Sequence, residues 1–305
     1  MKEIPAQILM TPASGAGVAD KSLAAVFADL VKARLTTLVL MTTLVGFYLG
    51  WRGPMDFSLM FHLLAATALV ASGAAALNQL LERDYDAQMR RTQDRPLPSG
   101  RLQPQTVLVF GVTCALVGLI YLALVVNWLT SLVGAITLLA YLLIYTPLKR
   151  VTWLNTNVGA VPGALPALMG WTAARGELSG EGWALFAIVA FWQIPHFMAI
   201  AWLYRDEYAR AGFQMLPVVD ADGRRTGVQA VSHTLALLAV SLAPFLFNVA
   251  GPLYLAGAMV CGAGYLWCAL RFARELTLAR ARRLFLASIL YLPLLLALMV
   301  WDKVK

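Results

Sequence analysis

Asn78, Glu82 and Asp86 recur every four residues at the end of a long apolar run. On a helix turning about 100° per residue they fall within roughly 80° of one another, stacked about 6 Å apart. One helix face then carries three oxygen-bearing side chains. Hard cations such as Mg2+ take such oxygens and fill the rest of their shell with water and phosphate oxygens. Arg90, Arg91 and Arg95 follow, and an arginine fork suits phosphate. Together these residues point to a metal that carries a diphosphate. Simple loop salt bridges are the plainer alternative. Asp84 lies about 160° from the middle of the face and is not assigned to it.

A second acidic place occurs in "HFMAIAWLYRDEYARAGFQMLPVV". Asp206 and Glu207 there, flanked by Arg205 and Arg210, are expected to form a second carboxylate wall. The four-residue acid spacing is missing, because positions 204 and 208 are tyrosines. In "YTPLKR", Lys149 and Arg150 could contact a leaving diphosphate or serve as topology anchors; Lys32 and Arg34 share that ambiguity. His196 follows Pro195 within an apolar segment, where an ionisable group is a functional-site hypothesis by default. It could hydrogen-bond a substrate carboxylate or a water, act as a base, or pair with a helix carbonyl. His62 and His233 are expected to be structural. Tyr141, Tyr145, Trp171, Phe191, Trp192 and Trp202 could shield a carbocation or simply pack.

The elements that must position these residues are membrane helices. The 305 residues are 60% hydrophobic and 13% charged, with mean hydropathy +0.71. A soluble domain is usually about 45–50% apolar and about a quarter charged. Nine segments have the length of a span: 31–51, 59–81, 107–126, 128–146, 155–174, 183–204, 228–249, 252–270 and 284–301. The expected fold is all-α, a single polytopic membrane domain over 1–305, with a nine-helix core at 31–301 and a loosely ordered cytoplasmic tail at 1–22. With the N-terminus cytoplasmic, the tail and the cytoplasmic loops hold 20 of the 24 basic residues, as the positive-inside rule requires. The C-terminus then lies outside. The net charge of +8 is a topology signal and no sign of nucleic-acid binding.

Other features refine this picture. Eight of the sixteen acids cluster in two cytoplasmic loops or at their helix mouths, which topology does not explain. "ASGAAA" and "GAVPGALPALMG" are rich in small residues, as close helix contacts in lipid require. Pro162, Pro166 and Pro195 should bend or break their helices, which is tolerable only inside the protein or beside a cavity. The fifth and sixth spans are therefore expected to line an internal cavity. Cys114, Cys261 and Cys268 lie in apolar segments without metal or redox spacing. The absence of a long transit segment points to a bacterial inner membrane.

With these residues in place, the sequence resembles the intramembrane prenyltransferases of the UbiA superfamily. The resemblance rests on Asn78, Glu82 and Asp86, then Arg91-Thr92, Arg95-Pro96-Leu97 and Gly100, and covers about residues 30–300. Within the superfamily the branch that farnesylates heme is matched by "ERDYDAQMRRTQDRPLPSG", by "YTPLKR" followed by "NVGAVPGALPALMGW", by "IPHF" and by "RDEYARAGFQMLPVV". The resemblance implies nine helices around a central cavity with its polar end at the cytoplasm. It implies Mg2+ and a prenyl diphosphate on Asn78, Glu82 and Asp86. Arg34, Arg91, Arg95, Lys149 and Arg150 would hold the diphosphate, and Asp206, Glu207 or His196 would orient the acceptor or a water. The implied reaction joins farnesyl diphosphate to a vinyl group of heme B with addition of water, within the lipid bilayer. Its product would pass to an oxidase-assembly factor or a heme A synthase. Two positions depart from the family pattern: Glu82 stands where Asp is usual, and Ala33 where Pro is common. A quinone-precursor polyprenyltransferase is the nearest alternative, and a small-molecule transporter a remote one.

Overall fold

The computed structural model describes residues 21–304. The expected tail at 1–22 therefore lies outside the described residues, apart from Lys21 and Ser22. The helices are α1 (Leu23–Leu30), α2 (Ala33–Gly50), α3 (Phe57–Asp86), α4 (Pro104–Tyr121), α5 (Trp128–Leu139), α6 (Thr146–Leu148), α7 (Asn155–Arg175), α8 (Gly180–Leu203), α9 (Arg205–Arg210), α10 (Leu216–Val219), α11 (Arg224–Val240), α12 (Ala243–Leu246), α13 (Pro252–Arg274) and α14 (Leu278–Trp301). Two π-helical segments, Leu122–Val126 and Ala140–Tyr145, continue α4 and α5. Among the described residues there is no strand, only one isolated bridge between Ala250 and Lys303. A chain in lipid must satisfy its backbone groups within each segment, and helices do so.

Among the described residues, eight helical stretches are long and apolar enough to cross a membrane: α2, α3, α4 with its π segment, α5 through α6, α8, α11 through α12, α13 and α14. The expected span at 155–174 differs. It forms α7, whose 21 residues are long enough to span but are not among the apolar eight. The reason is position. Fifteen of its residues are buried, and it packs against α2, α5 and α8. A helix screened from lipid gains less from bulk apolar side chains than from close approach.

The small residues make that approach. A Cβ on Gly46 would strike the Ala167 carbonyl, and one on Gly170 would strike that of Thr43. Gly73 in α3 lies against Gly111 and Ala115 of α4, where an added Cβ would come within 2.6 Å of the Gly111 carbonyl. Both glycine-rich stretches are thus helix-contact surfaces, as their composition predicts. Of the two outcomes expected at the prolines, bending or breaking, breaking does not occur. α7 runs unbroken through Pro162 and Pro166, and α8 through Pro195. Neighbouring helices hold both in place, as membrane helices allow.

The chain closes on itself at the end opposite α9 and α10. Lys303 Nζ donates to the Tyr48 and Trp51 carbonyls at the C-terminus of α2, at 2.6 and 2.7 Å. The Asp302 carboxylate accepts from Tyr254 N at 2.7 Å in the first turn of α13. Gly251 N and Val304 N complete the clasp on Asp302 O and Val249 O.

Candidate active site

α3 holds its helix for thirty residues, past the apolar part and through the charged end, because no Gly or Pro interrupts Ala74–Asp86. Its last turns bury Asn78, Glu82 and Asp86, at 0%, 5% and 1% exposure. Asp84 stays exposed beside Arg83. The following loop folds back on the helix end. Thr92 Oγ1 donates to the Asp86 carbonyl at 2.8 Å, and Arg95 meets the Asp86 carboxylate at 2.6 Å. Asp94 pairs with Arg101 and with Lys21, so it fastens the loop and takes no part in the site.

Each of the three face residues has a basic partner or a polar tie. Lys149 Nζ donates to Glu82 Oε1 at 2.8 Å. Lys32 Nζ donates to Asn78 Oδ1, and Asn78 Nδ2 donates to Thr146 Oγ1 at 3.0 Å. Lys32 sits between α1 and α2 in the left-handed region, with φ 49° and ψ 54°. Non-glycine residues rarely adopt that conformation, and it concentrates at functional sites. Burial, and then Arg95, push the Lys32 ammonium down to about 7 against the pull of Glu82.

The π segment Ala140–Tyr145 supplies the aromatic side of the site. Such wide turns often mark functional positions. Here it stacks Tyr141 and Tyr145 at 5.8 Å, with the Tyr141 hydroxyl 3.4 Å from Lys32 Nζ. Lys149 Nζ lies 4.6 Å over the Tyr145 ring. Gly159 of α7 makes room, because a Cβ there would collide with that ring.

Two connected chambers result. The polar one, about 190 Å³, is lined by Lys32, Glu82, Asp86, Arg91, Arg95, Lys149, Tyr208 and neighbouring apolar residues. Four basic side chains face two carboxylates there, so with Lys32 protonated the chamber has two positive charges in excess. That field suits an anion of high charge. The apolar chamber, about 290 Å³, lies between α2, α3, α5, α7 and α8 and includes Trp192, His196 and Leu292. Lys32, Tyr145, Lys149 and Phe197 border both chambers. The expectation that the fifth and sixth spans line a cavity is met by Pro162 and Pro166 of α7 and by Trp192 and His196 of α8.

Several expected site residues fall elsewhere. Asn78 borders neither chamber; it is sealed behind Lys32. Arg34 is exposed and lines neither. Arg150 sits outside the polar chamber, with its guanidinium 2.7 Å from the Tyr85 hydroxyl. The second carboxylate wall does not form. Asp206 is 91% exposed beside Arg205, and Glu207 reaches only the backbone N of Arg91, at 3.5 Å. Tyr208 takes their place, accepting from the Arg91 guanidinium at 2.7 Å under a ring 5.0 Å away. The tyrosine that breaks the acid spacing was the available signal. His62 and His233 make local contacts with Tyr121 and Gln229.

Among the described residues no three His, Cys, Asp or Glu side chains form a metal-binding group. Glu82 and Asp86 alone offer carboxylates to the chamber, both engaged by basic side chains. The donor set fits Mg2+ only if an anion supplies further oxygens and takes over the basic partners.

The sequence from 39 to 295 matches the model of the UbiA prenyltransferase family. The chain belongs to the UbiA prenyltransferase family. Among UbiA relatives, the protoheme IX farnesyltransferase of Solibacter usitatus is 48% identical over 286 residues, covering 91% of this chain and 98% of the relative. That of Myxococcus xanthus is 43% identical over 288 residues, 93% of this chain and 97% of the relative. Solved structures share the fold at low identity. A structure described as digeranylgeranylglyceryl phosphate synthase aligns with TM-score 0.78 at 14% identity, over 92% of this chain and 99% of that one. A UbiA homolog from Archaeoglobus fulgidus bound to GPP and Mg2+ aligns with TM-score 0.63 at 15% identity, over 90% and 99%. The residues at positions 82 and 33 each bear on a lysine. Glu82 is the residue that meets Lys149. Ala33 lets Lys32 take its left-handed conformation, whereas a following proline pushes a residue toward extended backbone.

Proposed function

We propose that this chain transfers the farnesyl group of farnesyl diphosphate to a vinyl group of heme B, giving heme O and diphosphate. The observation that carries the proposal is identity of 43–48% over nine-tenths of the chain to relatives bearing the name protoheme IX farnesyltransferase. The paired chambers are consistent with it. A diphosphate suits the cationic chamber, and an isoprenoid chain suits the apolar one.

In this reading Lys32, Arg91, Arg95 and Lys149 bind the diphosphate and neutralise charge as it leaves. Positioned cations of this kind lower the barrier by stabilising charge that develops in the transition state. Glu82 and Asp86 would hold Mg2+, with Asn78 joining once Lys32 turns to the diphosphate. The metal, when bound, would act as a Lewis acid on the leaving group. The C1–O bond of the farnesyl group breaks with its electron pair going to diphosphate. The vinyl carbon forms the new C–C bond, and a water adds to the resulting cation and releases a proton. Trp192, Phe197 and Tyr145 keep bulk water from the cation and face it with ring π-systems.

The site opens toward the end rich in lysine and arginine, which we place at the cytoplasmic side of a bacterial inner membrane. An oxidase-assembly factor or a heme A synthase would take the product. The test uses the purified protein in lipid nanodiscs with farnesyl diphosphate, Mg2+ and both acceptors, heme B and 4-hydroxybenzoate. Heme O formation by mass spectrometry is the expected result. Prenylated 4-hydroxybenzoate with no heme O would overturn the proposal in favour of a quinone-precursor enzyme.

A further inference from the structure

His196 is held in an unusual way. Its ring stacks on Trp192, 5.0 Å away, and lies 5.2 Å from Phe285. Nδ1 is 2.7 Å from Ser288 Oγ. That hydroxyl has a single proton, which it gives to the Phe285 carbonyl at 2.5 Å. Toward the histidine it can only accept. With the hydroxyl proton on that carbonyl, Ser288 Oγ accepts from Nδ1–H, and this tautomer leaves a lone pair on Nε2. Among the described residues Nε2 has no hydrogen-bond partner, and it is not sealed within the protein. His196 borders the apolar chamber, where its neighbours include Val189, Phe197 and Leu292.

A free imidazole lone pair in an apolar chamber has little to accept from in the protein. Lys32 and Lys149, the cations bordering that chamber, are engaged with Asn78 and Glu82. The arrangement has the form of a metal-binding histidine, whose second nitrogen donates to an oxygen that fixes tautomer and aim. Trp192, Phe197 and Phe285 pack around the imidazole, and its Nε2 is left without a partner among the described residues. An acceptor that carries its own metal centre would satisfy it.

We infer that His196 Nε2 is an axial ligand to the iron of the heme acceptor, and that Ser288 is the positioning residue that fixes its tautomer. This rests on heme being the acceptor, as proposed above. The lone pair is donated to iron; no bond of the macrocycle changes and no electron is transferred. Coordination from α8 fixes the macrocycle in the apolar chamber, which borders the cationic one through Lys149 and Phe197. The iron thus serves as a handle for docking and not as a centre of reaction.

The experiment loads the full-length protein in nanodiscs with heme B, without prenyl diphosphate, and records absorption and resonance Raman spectra of the ferrous form. An iron–histidine stretching band is expected in the wild type. It should vanish in His196→Gln and persist in His62→Gln and His233→Gln. Exogenous imidazole should restore a nitrogen-ligated spectrum to His196→Gln. Ser288→Ala should keep the band but raise the heme Kd about 10- to 100-fold, the usual cost of removing such a partner. A wild-type protein that makes heme O yet shows no iron–histidine band overturns the inference and leaves the proposed activity standing. A band that survives in His196→Gln overturns it equally. Failure of the wild type to bind heme at all overturns both. If His196→Gln does not fold, the double variant His62→Gln/His233→Gln decides: the band must persist there, and its loss overturns the inference.

Discussion

At the scale of single residues, the cationic chamber is a set of pairs waiting to be exchanged. Lys149 and Arg95 neutralise Glu82 and Asp86, and an incoming diphosphate can take those cations and free the carboxylates for metal. Asp86→Asn should therefore lower Mg2+-dependent turnover at least about a hundredfold while the protein remains folded by thermal-shift assay; undiminished turnover would remove Asp86 from the metal site. Lys32 makes a pH prediction. Its folded pKa, about 7, lies below the ordinary lysine value of 10.5, so the folded protein holds fewer protons than the unfolded chain between these values. Its contribution to stability then rises with pH across that window. Diphosphate binding runs the other way, because Lys32 must be charged to bind. kcat/KM for the prenyl diphosphate should fall as pH rises through about 7, and Lys32→Arg, charged throughout, should flatten the fall. The Glu82 and Asp86 face was legible because helical spacing is a local property. The sealing of Asn78 behind Lys32 was not, since it depends on a left-handed residue 46 positions away.

At the scale of elements, the fit between α7 and the π segment before α6 decides where Lys149 sits. Gly159 is the point of contact. Gly159→Ala should displace Tyr145 and cut kcat/KM for the prenyl diphosphate at least about tenfold, since a small misplacement of a binding group is costly. Gly264→Ala, with open space around its Cβ, should leave it unchanged. Steady-state kinetics on the two variants make the comparison, and equal behaviour would dismiss the contact. The small-residue stripes could be read in advance because lipid offers helices no hydrophobic reason to associate, leaving close packing as the driving contact. The π turn could not, because a wide turn changes the backbone and leaves the apolar run "AITLLAYLLIY" looking continuous. The second acidic loop misled for a related reason. Asp206 and Glu207 are adjacent in a six-residue helix, so they cannot both face the chamber, and Tyr208 does.

At the scale of the whole molecule, sidedness follows from charge and the ring of helices from the clasp. Reporter fusions should show residue Lys21 accessible from the cytoplasm and Lys303 from the opposite side; a cytoplasmic Lys303 would invert the topology. Eight of the nine expected spans were readable from segment length, but the special place of α7 was not: its modest hydropathy is intelligible only once its burial is known. The clasp has a further consequence for biogenesis. Lys303 and Asp302 join α2 and α13, the second helix and the second to last. Both residues follow α14 in the chain, so they are made only after all the described helices. Until then α2 lacks the ammonium that caps its carbonyls, and the ring stays open at the end opposite the polar chamber. Closure at that end therefore comes late, after α14 and not as α2 and α13 are made.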